Sequence, residues 1–152
     1  MQSLSRRDML ALGAGGAALL VTLGESVPAV ATPAEAAAEI AKFTGGKPAE
    51  QGKITIELPE IAENGNTIPL SITVDSQMTA DNYVSDILVV TDGNPRPGVA
   101  HFHFTGLSGR ALAATRIRLA TTENVIVVAK TNDGKLFTVQ KQVKVTIGGC
   151  GG

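Results

Sequence analysis

The thiol of Cys150, the sole cysteine among 152 residues, is the most reactive group that this sequence offers, and it lies third from the carboxyl end. Two glycine pairs flank it, Gly148 and Gly149 before and Gly151 and Gly152 after. Glycine has no Cβ and reaches backbone conformations that other residues avoid, so this segment favours a tether over a packed element. Three extended residues span roughly 10 Å, enough to carry a thiol into another protein's cleft. The ending therefore predicts a thiol on a flexible arm.

The residues around Cys150 predict a passive thiol. A cysteine becomes a strong nucleophile when a neighbouring cation or a helix N-terminus favours the thiolate. No Lys, Arg or His stands beside Cys150 in the sequence. Activation is therefore expected to come from the site of a partner enzyme.

Two histidines form the second candidate for chemistry. His101 and His103 are two residues apart in a predicted strand, so both imidazoles point to one face, opposite Phe102 and Phe104. Two imidazoles at this spacing can bind a metal ion, but the sequence shows no third ligand, because Cys150 is tethered elsewhere. The sequence therefore predicts no metal site and no cofactor, and an exposed or interface position for the pair.

The amino-terminal segment predicts export. Arg6 and Arg7 precede an apolar run from Met9 to Leu23, which is the layout of a twin-arginine signal, and Ala29–Ala31 offers an A-x-A cleavage site. The apolar run has about 15 residues, short of the roughly 20 that span a bilayer. Residues 1–31 are therefore predicted to be a cleaved signal peptide, which places the mature protein in the periplasm with no membrane anchor.

The remaining composition fits one domain with an aliphatic core. Removal of the leader leaves roughly 120 residues, too few for two domains. The formal net charge of the chain is −1, which favours neither nucleic acid nor an anionic membrane as a partner. A single cysteine in an exported chain cannot form an internal disulfide, so the thiol is left for a partner, a substrate or a second copy.

A short helix is predicted at 33–43. Thr32 has the form of a helix cap, Pro33 suits the first helical position, and Glu35 completes a capping box. The pair Gly45–Gly46 then ends the helix.

After the helix, apolar and polar residues alternate between turn signals, a pattern typical of strands. Seven strands are predicted, near residues 54–58, 68–74, 84–91, 100–104, 111–119, 124–131 and 137–147. Pro69 cannot donate to a ladder, which favours an edge strand or a local break. The alternation in the last strand makes Ile147 its final core-facing residue, directly before the arm. Seven short antiparallel strands indicate an immunoglobulin-like sandwich at 32–147, followed by the arm at 148–152.

The twin-arginine leader, the small all-β domain and the terminal GGCGG resemble the SoxY family, the sulfur carriers of the bacterial thiosulfate-oxidising Sox system. The resemblance covers essentially the whole chain, and the pentapeptide is its specific part. It implies a carrier that is not an enzyme, with sulfur held covalently on Cys150 as a thiosulfonate and then a persulfide. It also implies a heterodimer with SoxZ and transient docking to SoxXA, SoxB and, where present, SoxCD.

Two other classes of function remain open. A cysteine-nucleophile enzyme needs a base near the thiol, and His101 or His103 could serve only if the arm folded back across the sandwich. The terminal Gly-Gly suggests a ubiquitin-like sulfur donor of cofactor biosynthesis. Those tails are activated in the cytoplasm, so the export signal argues against this class.

Overall fold

The computed structural model describes residues 32–149, in which one helix is followed by nine strands arranged in two sheets. The elements in chain order are α1 (Pro33–Thr44), β1 (Glu50–Gln51), β2 (Ile54–Glu57), β3 (Ile61–Asn64), β4 (Ile68–Val74), β5 (Val84–Thr91), β6 (Gly98–His103), β7 (Ala111–Ile117), β8 (Glu123–Thr131) and β9 (Leu136–Ile147). The larger sheet has the order β1-β9-β8-β5-β6, with β3 also paired to β9, and the smaller sheet has the order β2-β4-β7. The predicted signal peptide and residues 150–152 lie outside the described segment.

The predicted helix is confirmed as α1, one residue longer than expected. The Thr32 hydroxyl accepts a hydrogen bond from the Glu35 amide at 3.3 Å, and the Glu35 carboxylate accepts one from the Thr32 amide at 2.7 Å. Gly45 ends the helix with a left-handed φ of 64°. This helix is not long and apolar enough to cross a membrane. Its apolar side packs on the outer face of the larger sheet, against Leu88 and Val90 of β5.

The core lies between the two sheets and consists mainly of aliphatic side chains, as the composition predicts. Alternate residues of β4 face inward from the smaller sheet and are almost fully buried. Residues of β5 and β8 face them from the larger sheet. The inward side chains include Ile68, Leu70 and Ile72 from one sheet and Ile87, Val89, Val125 and Val127 from the other.

The sandwich is confirmed, but its strand pairing is mixed. The segment 32–149 has nine strands where seven are expected, and the two additional ones, β1 and β3, pair with β9 in parallel. Both residues of β1 are exposed, and only one residue of β3, Ala62, is buried. Strands that bury so little have no alternating pattern, and the sequence therefore gives no signal for them.

Pro69 lies in neither an edge strand nor a break, since β4 is the central strand of the smaller sheet. The pairing of β2 with β4 begins at Ser71 and runs to Val74, so Pro69 lies beyond the end of β2. The missing N–H therefore costs no hydrogen bond to that neighbour, and a central strand tolerates the proline.

Candidate functional site

Cys150 lies outside the described residues, and the structure defines the site by the segment that leads into it. We use the name arm root for Gly148 and Gly149 together with the turn at Gly65 and the loop 118–122, which contact them. Asn64 fixes the turn, because its side chain accepts a hydrogen bond from the Asn66 amide at 2.9 Å.

Three backbone hydrogen bonds connect the parts of the arm root. The Gly65 amide donates to the Ile147 carbonyl at 2.7 Å, and the Leu119 amide donates to the Gly65 carbonyl at 2.9 Å. The Gly149 amide then donates to the Leu119 carbonyl at 2.8 Å. The bonds therefore run from Ile147 through two loops and back to Gly149, so the chain is held on both sides of Gly148.

The glycines of the arm root allow backbones to approach closely. A Cβ at Gly148 would overlap the carbonyl oxygen of Ala120, and one at Gly149 would overlap the carbonyl group of Gly65. A Cβ at Gly65 would overlap the carbonyl oxygen of Leu119. None of these three glycines has a positive φ, so steric space, not left-handed backbone, requires glycine here. The sequence assigns Gly148 and Gly149 to a flexible arm, whereas in the structure both are packed at the end of the sandwich.

The expectation that Ile147 is the last core-facing residue is wrong. Its side chain is 64% exposed, and Val143 is the last fully buried residue of β9. The strand continues past the core and pairs in parallel with β3, where Asn64 lies opposite Ile147. Backbone bonding to β3 and the Gly65 turn, not side-chain burial, therefore holds this end of β9.

Two buried polar side chains hold the loop 118–122 through hydrogen bonds to its backbone. Asn94 accepts a hydrogen bond from the Ala120 amide and donates one to the Arg118 carbonyl, both at 2.8 Å. The Glu123 carboxylate accepts from the same Ala120 amide at 3.0 Å and from the Gly93 amide at 2.9 Å. Neither Asn94 nor Glu123 is predicted from the sequence. The available signal was a carboxylate at the first position of the apolar strand β8.

Burial raises the pKa of Glu123 above its ordinary value, because the low-dielectric surroundings disfavour the ionised carboxylate. The amide donors of Gly93, Thr121 and Ala120 act in the opposite direction but do not cancel this effect. The loop 118–122 of the arm root is therefore hydrogen-bonded to a carboxylate whose buried surroundings disfavour its ionisation.

A groove of about 490 Å³ adjoins the loop 118–122. Its lining includes Arg96, Arg116 and Arg118, and Asn94 connects this wall to the arm root through the Arg118 carbonyl. The charged residues of this lining are all arginines, which favours anionic groups in the groove.

The structure places His101 and His103 at the opposite end of β6. Both side chains share the face that carries α1, while Phe102 packs toward the core, as predicted. Strand β6 begins at Gly98, directly after the turn 92–97, and this turn lies beside the arm root. His103 lies roughly 16 Å further along the strand. The structure therefore does not bring either imidazole close to Gly149.

A family model described as "Sulfur oxidation protein SoxY" matches residues 40–150 of this chain. The solved structure of the sulfur carrier protein SoxY from Chlorobium limicola f thiosulfatophilum is 32% identical. The match covers 76% of this chain and 100% of that chain, with a TM-score of 0.64. Comparison with curated protein sequences gives no match.

Superoxide reductases are similar in fold. A superoxide reductase (neelaredoxin) from Ignicoccus hospitalis is 16% identical over 80% of this chain and 99% of its own, with a TM-score of 0.56. A putative superoxide reductase from Thermotoga maritima is 18% identical over 68% and 89%, with a TM-score of 0.52. At such identities the likeness concerns the fold alone.

The two-sheet fold and the SoxY matches place the protein in the class of sulfur-oxidation carriers. The chain belongs to the SoxY family, which confirms the resemblance seen in the sequence. Because SoxY proteins are carriers, membership implies that the chain is not itself an enzyme.

Substitution of Gly149 by alanine is expected to release the end of the chain from the arm root. The added Cβ overlaps the Gly65 carbonyl, and a segment this close to the terminus relieves the overlap by undocking. Amide hydrogen exchange at residue 149 should accelerate at least tenfold, with little change in melting temperature. Gly98→Ala is the matched control, because a Cβ there meets open space. Unchanged exchange at residue 149 would contradict the packed arm root.

Substitution of Glu123 by glutamine is expected to change the pH dependence of stability. The folded-state pKa of Glu123 lies above the ordinary value of 4.5, so the unfolded state loses its proton first as the pH rises. Ionisation therefore subtracts stability from about pH 4.5 upward, and the loss is complete above the folded-state pKa. Glutamine does not titrate, so the melting temperature of Glu123→Gln relative to wild type should rise between about pH 4 and pH 7.

The control for the lost charge is Glu57→Gln, at an exposed position of β2. Its melting temperature should be measured against wild type in the same buffers. The melting temperature of Glu123→Gln minus that of wild type should not stay constant, or fall, as the pH rises from about 4 to 7. Either result would contradict the assigned direction of the Glu123 pKa shift.

Proposed function

We propose that the protein is a periplasmic carrier that binds sulfur intermediates covalently through Cys150 and presents them to the enzymes of thiosulfate oxidation. The observation that carries the proposal is the GGCGG ending, found on a chain that belongs to the SoxY family. The cargo is sulfur derived from thiosulfate, held as a thiosulfonate and then as a persulfide.

The chemistry of loading requires an external oxidant. Joining the Cys150 thiol to thiosulfate forms one sulfur–sulfur bond. The thiol proton is released to solvent, and the haem enzyme SoxXA accepts the two electrons. Hydrolysis by SoxB then cleaves the bond to the sulfonate group, releases sulfate and leaves the persulfide. SoxCD, where present, oxidises the remaining sulfane sulfur. The carrier itself supplies the thiol and its placement.

The geometry of the arm root supports a carrier that presents the thiol while separate enzymes carry out the reactions. Gly149 is fixed by its bond to Leu119, so the thiol enters a partner's site from a defined point on the carrier. The groove with Arg96, Arg116 and Arg118 adjoins the loop 118–122 that holds Gly149, and its arginines complement the negative charge of a thiosulfonate. The histidines lie at the far end of β6, which disfavours the alternative of a self-contained cysteine-nucleophile enzyme.

We further propose that the carrier works as a heterodimer with SoxZ, and that SoxXA, SoxB and SoxCD dock only transiently. The family supports this assembly, because SoxY proteins act within the Sox system. No nucleic acid or membrane partner is proposed for the mature chain, whose formal charge is close to neutral.

Replacement of Cys150 by serine is expected to abolish loading without unfolding the domain. A hydroxyl cannot form the sulfur–sulfur bond, and the packed core lies within residues 32–149. The protein should be incubated with thiosulfate and the loading enzyme, and its intact mass recorded. Wild type should gain a thiosulfate-derived mass that a thiol reductant removes, whereas Cys150→Ser should gain none. An equal mass gain in both proteins would place the attachment elsewhere.

Replacement of Arg6 and Arg7 by lysine is expected to trap the precursor in the cytoplasm, because the twin-arginine route reads the arginine pair. Cell fractionation should show full-length protein inside and little mature protein in the periplasm. The same exchange at Arg116 and Arg118 is the matched control and should leave export normal. Wild-type levels of periplasmic mature protein in the Arg6 and Arg7 variant would overturn the assignment.

A further inference from the structure

The cluster formed by His101, His103 and Asp86 adds a ligand that the sequence does not reveal. Asp86 lies on β5 directly opposite His103 of β6, and its side chain shares the face of both histidines. One carboxylate oxygen lies 2.7 Å from Nδ1 of His103 and 3.3 Å from Nε2 of His101. One ligating atom from each residue lies within 4.8 Å of the other two.

We propose that Asp86, His101 and His103 form a binding site for a divalent transition metal ion, with zinc as the reference ion. Two imidazole nitrogens and one carboxylate oxygen are donors that suit zinc and similar ions, whereas calcium and magnesium prefer oxygen donors alone. The site is distinct from the arm root, and the inference does not rest on the proposed function.

The separations of the carboxylate oxygen from the two imidazole nitrogens are close to those around a tetrahedral ion. Metal–ligand bonds of 2.0 to 2.1 Å at tetrahedral angles separate neighbouring ligand atoms by about 3.3 Å. The distance between His101 and Asp86 already has this value. The distance between His103 and Asp86 is that of a hydrogen bond, and it must lengthen by about 0.6 Å as the ion replaces the shared proton.

Neighbouring elements hold the three side chains near this arrangement. The adjacent, paired strands β5 and β6 fix the backbone of all three residues. Phe43 of α1 meets the His101 ring edge-on, with centroids 5.4 Å apart and an interplanar angle of 83°. The two imidazole rings lie 4.1 Å apart between centroids. The paired strands already bring the three ligands together, so ion binding is expected to adjust side-chain rotamers and leave the sheet unchanged.

The exposure of the site determines what kind of metal site it is. The side chains of His101 and His103 are 41% and 71% exposed, so an ion bound there faces solvent. Structural zinc sites have four protein ligands, whereas sites with three keep a position for water or an incoming ligand. The proposed site is therefore open and exchangeable.

Zinc titration of the Cys150→Ser protein tests the proposal, because the serine removes the thiol as a competing ligand. Isothermal titration calorimetry should show saturable binding of a single zinc ion per chain. Zinc should also raise the melting temperature, because it binds the folded state preferentially. His103→Gln and Asp86→Asn should each weaken binding at least about tenfold, since each removes one of three ligands.

The matched control is Glu57→Gln, which removes the same charge from an exposed carboxylate on β2 of the smaller sheet, whereas the cluster lies on the larger sheet. It should bind zinc as the parent protein does. Melting temperatures without zinc report whether each variant folds, and the exposed His103→Gln keeps the test valid if Asp86→Asn does not. Absence of saturable zinc binding, or equal affinity in His103→Gln and its parent, would overturn the proposal.

Discussion

The position of the arm depends on the close backbone contact between Gly149, Gly65 and Leu119. Hydrogen bonds between backbones require an approach that a Cβ at any of the three glycines of the arm root would prevent. The contact joins the end of the last strand to two loops that are distant in sequence. A segment held in this way loses freedom up to Gly149, so the fold sets the point from which the arm starts.

Maintaining that contact requires buried polar groups at one end of the sandwich. Asn94 and Glu123 take up the amide and carbonyl groups of the loop 118–122 that strands cannot satisfy. A buried carboxylate costs stability, and the raised pKa of Glu123 is a direct sign of this cost. The aliphatic core between the sheets offsets it. The packing of the hydrophobic core therefore stabilises a sandwich with buried polar groups at one end, and this end holds Gly148 and Gly149.

The sequence predicts those features that repeat or that follow a local rule. The capping box at Thr32 and the alternation in β4 identify the helix and the main strands. The sequence does not predict contacts that depend on distant backbone. Asp86 joins the histidines only because β5 pairs with β6 in one register. Ile147 follows the apolar phase of β9 but projects past the core, because periodicity gives the side of a strand and not the length over which the opposite sheet covers it.

The arm root and the histidine cluster lie toward different ends of β6. A cysteine thiolate is a strong zinc ligand, so a thiol able to reach the histidine cluster would compete for the ion or be sequestered by it. The arm root fixes Gly149 beside the turn 92–97, and His103 lies roughly 16 Å beyond the start of β6. The packed glycines therefore anchor the start of the arm at Gly149, apart from His103 and from Asp86 opposite it, so the two proposed sites lie at separate places in the fold.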